Sequence, residues 1–170
     1  VNEALPQWIS IKYYIVKNEP FTRKNISLYY DKPATVDRLE VERFIVNKTA
    51  TGGGRGEPVF VNKQWFFGLE YPAGYSRHTD GNKPKAYGRS YDSVGNYSFI
   101  SLEGRDIEAH PAKGMIRLMH FPGYAIASAE NKFQLISKTS ISGCAIKGQS
   151  IEEAFMNYLS TVWKAPRSFL

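Results

Sequence analysis

The stretch that most constrains this chain runs from Gly56 to Gly74. It reads as two short strands about a polar turn. Pro58 opens the first, Asn62 and Lys63 make the turn, and Trp65 to Tyr71 makes the second, closed by Pro72-Ala73-Gly74. Proline suits the first residue of a strand, and Asn and Gly accept turn conformations that branched residues resist. Trp65, Phe66 and Phe67 are consecutive, which breaks strict alternation. Successive strand residues point to opposite faces, so either both faces of this strand are covered or an aromatic lies on the surface.

The rest of the chain repeats the β signal. Trp8 to Val16 and Phe21 to Tyr30 are rich in β-branched and aromatic residues, and Asp31-Lys32-Pro33 is a turn by its residue types. Ala34 to Phe44 sets Leu39 and Val41 against Arg38, Glu40 and Glu42, the pattern of a half-exposed antiparallel strand. Thr49 to Arg55, with three successive glycines, reads as a flexible loop. It lacks the Lys-Ser/Thr pair of a phosphate cradle. Tyr75 to Asn96 reads as a long polar loop, and a loop of that length in a compact domain points either to function or to mobility. Tyr97 to Glu103, Met115 to Phe121, Phe133 to Thr139 and Ser140 to Ile146 are further expected strands. Many short strands between turn signals predict an antiparallel β-sandwich.

Near the end the period changes. Ser150 and Glu153 form a capping box, and Ile151, Ala154, Phe155, Tyr158, Leu159 and Val162 follow at helical spacing. A helix is therefore expected over 150–165, stopping before Pro166, with 166–170 as a linker. The 170 residues are expected to form one domain, which at this size buries roughly 70% of the surface of its unfolded chain. The first residues contain neither an initiator Met nor a signal-peptide pattern, as expected of a piece cut from a longer protein.

Charge excludes more than it suggests. Twenty-two basic residues against sixteen acidic ones give +6, but Lys and Arg are scattered singly, so neither a nucleic-acid nor a membrane partner is expected. No apolar run approaches the roughly 20 residues that span a bilayer. Cys144 stands alone among apolar strand residues and reads as a buried structural thiol. His78, His110 and His120 are too dispersed for a metal motif, and no cofactor is expected. Glu57, Glu70, Glu103, Asp106 and Glu108 offer carboxylates, yet sequence fixes no separation between any two of them. What remains is aromatic rings beside polar residues: Trp65, Tyr71, Tyr75, Tyr87, Tyr91, Tyr97 and Tyr124. Rings with an apolar body and a polar tip suit the apolar faces and hydroxyls of sugars, and they equally suit a sandwich core or a covered interdomain face.

Several of these segments resemble a known family. Asp31-Lys32-Pro33 followed by Val36-Asp37-Arg38-Leu39-Glu40-Val41-Glu42 is similar to a strand pair of large bacterial α-galactosidase-like (melibiase-like) glycoside hydrolases. So are Gly56 to Val61, Phe66 to Gly74, the turn His120-Phe121-Pro122-Gly123, Ser137-Lys138-Thr139, the helix from Ile151, and Pro166-Arg167-Ser168-Phe169. The resemblance spans roughly residues 8 to 170 and keeps its order. It implies a supersandwich-like N-terminal β-sandwich preceding a catalytic (β/α)8 barrel, with the catalytic carboxylates in the barrel and none here. The sandwich would pack on that barrel through Trp65-Phe66-Phe67 and lend the Tyr75 to Asn96 loop to the rim of the sugar site. Trp65, Tyr71, Tyr75 and Tyr91 are then the expected contacts to carbohydrate or to the barrel. Secretion or a periplasmic location would follow from the same resemblance. The alternative is a stand-alone carbohydrate-binding module.

Overall fold

The computed structural model describes residues 5–80, 83–84, 115–123, 126–127 and 133–163. In chain order the strands are β1 (Trp8–Ile15), β2 (Phe21–Tyr30), β3 (Leu39–Ile45), β4 (Ala50–Gly52), β5 (Gly54–Arg55), β6 (Val59–Val61) and β7 (Trp65–Leu69). They continue as β8 (Tyr75–Asp80), β9 (Lys83–Pro84), β10 (Met115–His120), β11 (Ile126–Ala127), β12 (Phe133–Ile136) and β13 (Ser140–Cys144), followed by helix α1 (Ile151–Trp163). All pairings among them are antiparallel.

The first sheet runs β11-β12-β2-β13-β7-β6-β4, with β1 added on β2; the second runs β3-β10-β8-β5, with β9 on β8. β1 pairs with Thr22 to Tyr29 and so occupies one edge of β2. β12 and β13 lie end to end along the other edge, against Ser27 to Tyr30 and Phe21 to Lys24. At the junction between them, Ser137 bridges to β2. Its N–H donates to the Ile26 carbonyl at 2.7 Å and its Oγ accepts from the Ile26 N–H at 2.8 Å.

The structure answers the question posed by the aromatic triplet: both faces of β7 are covered. Phe66 is fully buried under α1, in a cluster with Phe21, Ile141, Ile151, Ala154 and Tyr158. Phe67 points the other way, packing edge-on against Phe44 of the second sheet at 4.8 Å. There it borders the inter-sheet core of Ala50, Val59, Val61, Ile116 and Leu118. Burying a side chain such as Phe66 contributes roughly 2–3 kcal/mol. The triplet is therefore spent inside the fold; only Trp65, at the start of the strand, shows 44% of its surface. The expected interdomain face at Trp65-Phe66-Phe67 does not exist as such. The result is a β-sandwich with α1 on the outer face of its first sheet.

Three expectations change in detail. Ala34 to Arg38 is not strand; Ala34 and Val36 instead pack against Leu28, Tyr30 and Leu135 while the chain crosses between sheets. Thr49 to Arg55 is not simply a loop, because β4 belongs to the first sheet and β5 to the second. Gly52 and Gly53, at φ 72° and 81°, turn the corner in a region that side-chain-bearing residues avoid. Tyr75 to Asn96 opens as strand, since β8 and β9 occupy part of it. The remainder of that segment, and the strand expected at Tyr97 to Glu103, lie outside the described residues.

The helix begins as its sequence predicts. The Ser150 N–H donates to Glu153 Oε2 at 2.8 Å and the Glu153 N–H donates to Ser150 Oγ at 3.1 Å, a closed capping box. Those bonds hold the Glu153 carboxyl below its usual pKa.

Candidate functional site

The groups that sequence reasoning would assign to chemistry are mostly used to hold layers together. Glu70, just past β7, accepts both Nε and Nη2 of Arg23 at 2.5 Å and the Tyr158 hydroxyl at 2.5 Å. This joins β2, β7 and α1 through one carboxylate. The bond to Glu70 raises the Arg23 pKa, against the lowering effect of burial. Glu70 and Tyr158 also line a cavity of about 260 Å³ with Tyr71, Ile141, Phe155 and Leu159. With three donors on it, this carboxylate is tied into the packing of the layers.

Glu42 does the same work between sheets. It reaches from β3 to Lys24 of β2 at 2.6 Å and accepts the Ser140 hydroxyl at 3.0 Å. Glu40 accepts Arg117 and lies 3.6 Å from Arg38 and 3.9 Å from Arg43. Among the described residues there is no group of three or more His, Cys, Asp or Glu arranged to hold a metal.

Two surfaces of the first sheet are left without such use. Residues directly opposite in an antiparallel pair share a face, so Ile9, Ile11, Tyr13 and Ile15 lie beside Leu28, Ile26, Lys24 and Thr22 on the inner side. The Lys24–Glu42 pair closes the gap between sheets at β3, and β1 overhangs beyond it. All four residues are exposed, Ile15 to 74%. The other face of β1 carries Trp8, Ser10, Lys12 and Tyr14, opposite Tyr29, Ser27, Asn25 and Arg23. There the Trp8 ring stacks on Tyr29 at 3.7 Å with planes 5° apart. The Gln134 amide donates to the Tyr29 hydroxyl at 2.8 Å, and the Asn25 amide donates to that of Tyr14 at 3.2 Å.

The residues singled out from sequence do not converge. Trp65 opens β7 and Tyr71 lies two residues beyond its end. Tyr71 is half-buried, edge-on to His120 at 6.3 Å and under the Lys138 ammonium at 4.6 Å. Tyr75 is 2% exposed and packs edge-on against Phe121, which makes it a core ring. Tyr91 lies outside the described residues, as do Tyr87, Tyr97, Tyr124, His110, Glu103, Asp106 and Glu108. His120 is buried, and its Nε2 accepts the Lys138 N–H at 3.1 Å. Cys144 is a free thiol at the end of β13, half-buried rather than fully buried as expected, because the sheet ends there. Sequence reading overlooked Trp8 and Tyr29. The signal was present: both sit in aromatic-rich strands at positions that share a face once β1 and β2 pair as a hairpin.

The architecture defines the class, an antiparallel two-sheet β-sandwich with a helix near the C-terminal end. No family model, curated protein or solved structure matches the chain.

Proposed function

We propose that residues 1–170 form the non-catalytic β-sandwich domain of an α-galactosidase-like glycoside hydrolase, packed against a catalytic (β/α)8 barrel of the same chain. The observation that supports this is the overhanging row Ile9, Ile11, Tyr13 and Ile15. A contiguous apolar strip on a strand that pairs on one side only among the described residues is a surface suited to burial against another folded unit. The ordered resemblance over residues 8 to 170 supplies the family, and the engagement of Glu40, Glu42 and Glu70 in ion pairs fits a scaffold.

The test compares residues 1–170 alone with the same residues followed by whatever their reading frame encodes. In the longer protein, Ile9→Lys with Ile11→Lys is expected to uncouple sandwich and barrel unfolding and to lower hydrolysis of a chromogenic α-galactoside. In the isolated domain the same pair leaves the melting temperature within a few degrees, because both residues are exposed. Turnover of the glycoside by residues 1–170 alone, abolished by one carboxylate substitution, would overturn the proposal.

A further inference from the structure

We propose that the outer face of β1, β2 and β12 binds a neutral polysaccharide, with Trp8 as its stacking platform. This rests on different side chains from the docking strip, since alternate residues of β1 point to opposite faces.

The Trp8 indole is held as a ligand platform would be. Tyr29 covers one of its faces at 3.7 Å, and Trp8 as a residue remains 52% exposed. Gln134 fixes the Tyr29 hydroxyl from the next strand, so Trp8, Tyr29 and Gln134 form one row across β1, β2 and β12. The platform is thus ordered before any ligand arrives, which lowers the entropy cost of binding.

A second row closes the far end of the face. Tyr14 stands opposite Arg23, with Asn25 bonded to its hydroxyl and the Lys12 ammonium 5.3 Å from its ring. Ser10 and Ser27 pair between the two rows. Six residue steps along the strand separate Trp8 from Tyr14, roughly 20 Å. That length suits a chain of several sugars and exceeds a monosaccharide.

The chemistry favours an uncharged ligand. Sugars offer apolar C–H faces to a ring and hydroxyl edges to amides and hydroxyls. Gln134 and Asn25 each spend a donor on a tyrosine, and among the described residues neither amide oxygen accepts a side-chain bond. Those oxygens are therefore available to sugar hydroxyls. The Arg23 charge is neutralised by Glu70, which leaves Lys12 as the cation beside the face among the described residues and argues against a polyanion.

The experiment is affinity electrophoresis of residues 1–170 in native gels cast with galactomannan, xyloglucan or xylan. Retardation by at least one polymer is expected, with the association constant falling tenfold or more in Trp8→Ala and about threefold in Gln134→Ala. Trp65→Ala, on another strand, is expected to leave it unchanged. Should Trp8→Ala fail to fold, Trp8→Phe keeps a ring against Tyr29 and is expected to weaken binding a few-fold. No retardation by any polymer would overturn the proposal, as would unchanged affinity in Trp8→Phe or equal loss in Trp65→Ala. Salt-sensitive retention on poly(dT) in place of the polysaccharides would overturn it too, by marking a nucleic-acid surface. Loss of barrel docking leaves all of these outcomes unaffected.

Discussion

Phe66 occupies the space that a side chain at Gly143 would need. A Cβ built on Gly143 lies 2.2 Å from the Phe66 Cζ and within 2.8 Å of two further ring atoms. The two residues are directly paired across β7 and β13, so the ring lies over its neighbour's backbone and under α1.

Gly143→Ala is therefore expected to destabilise by about 1–3 kcal/mol, because a fully buried ring has nowhere to move. Urea unfolding at constant m-value measures it. Gly143→Ala combined with Phe66→Leu should recover part of the loss, since the clash and the ring are one interaction.

The Glu70 junction predicts coupling between layers. Tyr158→Phe removes one hydrogen bond to a charged acceptor and is expected to cost about 1–2 kcal/mol. Glu70→Ala, which also frees the guanidinium of Arg23, should cost more, about 2–3 kcal/mol after allowing for Arg23 being about one-third exposed. The double substitution should cost less than the sum, by thermal or chemical melts of all three variants.

The hairpin turn carries a correctable strain. Asn62 and Lys63 stand at φ 52° and 53°, and the Gln64 N–H donates to the Val61 carbonyl at 3.0 Å. Asparagine tolerates that region and lysine does so at a cost. Lys63→Gly is expected to stabilise by about 0.5–1 kcal/mol, seen as a rise of a few degrees in Tm. An unchanged or lower Tm would count against the turn geometry.

His120 predicts a pH dependence. Burial, with a smaller contribution from the Lys138 cation, lowers its pKa from 6.5 to about 4. The folded state thus disfavours the proton that the unfolded chain accepts below pH 6.5. Stability is full above that pH and falls as pH drops towards 4, by roughly 2 kcal/mol at pH 5. His120→Gln should flatten the curve of unfolding free energy between pH 7 and 5, whatever it does to stability at pH 7.

Much of this fold was legible in the chain. The capping box at Ser150 and Glu153, the apolar stripe of α1, the turn at Asn62-Lys63 and the strand-rich pattern are local, set by propensity, hydrogen-bonding reach and period within a few residues. The candidate surfaces were not legible. Trp8 becomes a platform through Tyr29, twenty-one residues later, and through Gln134 on a third strand. Ile9 to Ile15 reads as a strand rich in β-branched and aromatic residues, and its inner face is exposed because, among the described strands, the second sheet ends at β3. Likewise the triplet Trp65-Phe66-Phe67 posed two alternatives that periodicity alone leaves open. A side chain's parity is local, whereas what lies over each face is decided by strand order and layer packing between residues far apart in sequence. The sequence by itself determined the longer strands, the turn at Asn62-Lys63 and α1; the tertiary structure decided the strands β4, β5, β8 and β9, which form only through pairing with other strands, and which apolar sides are covered.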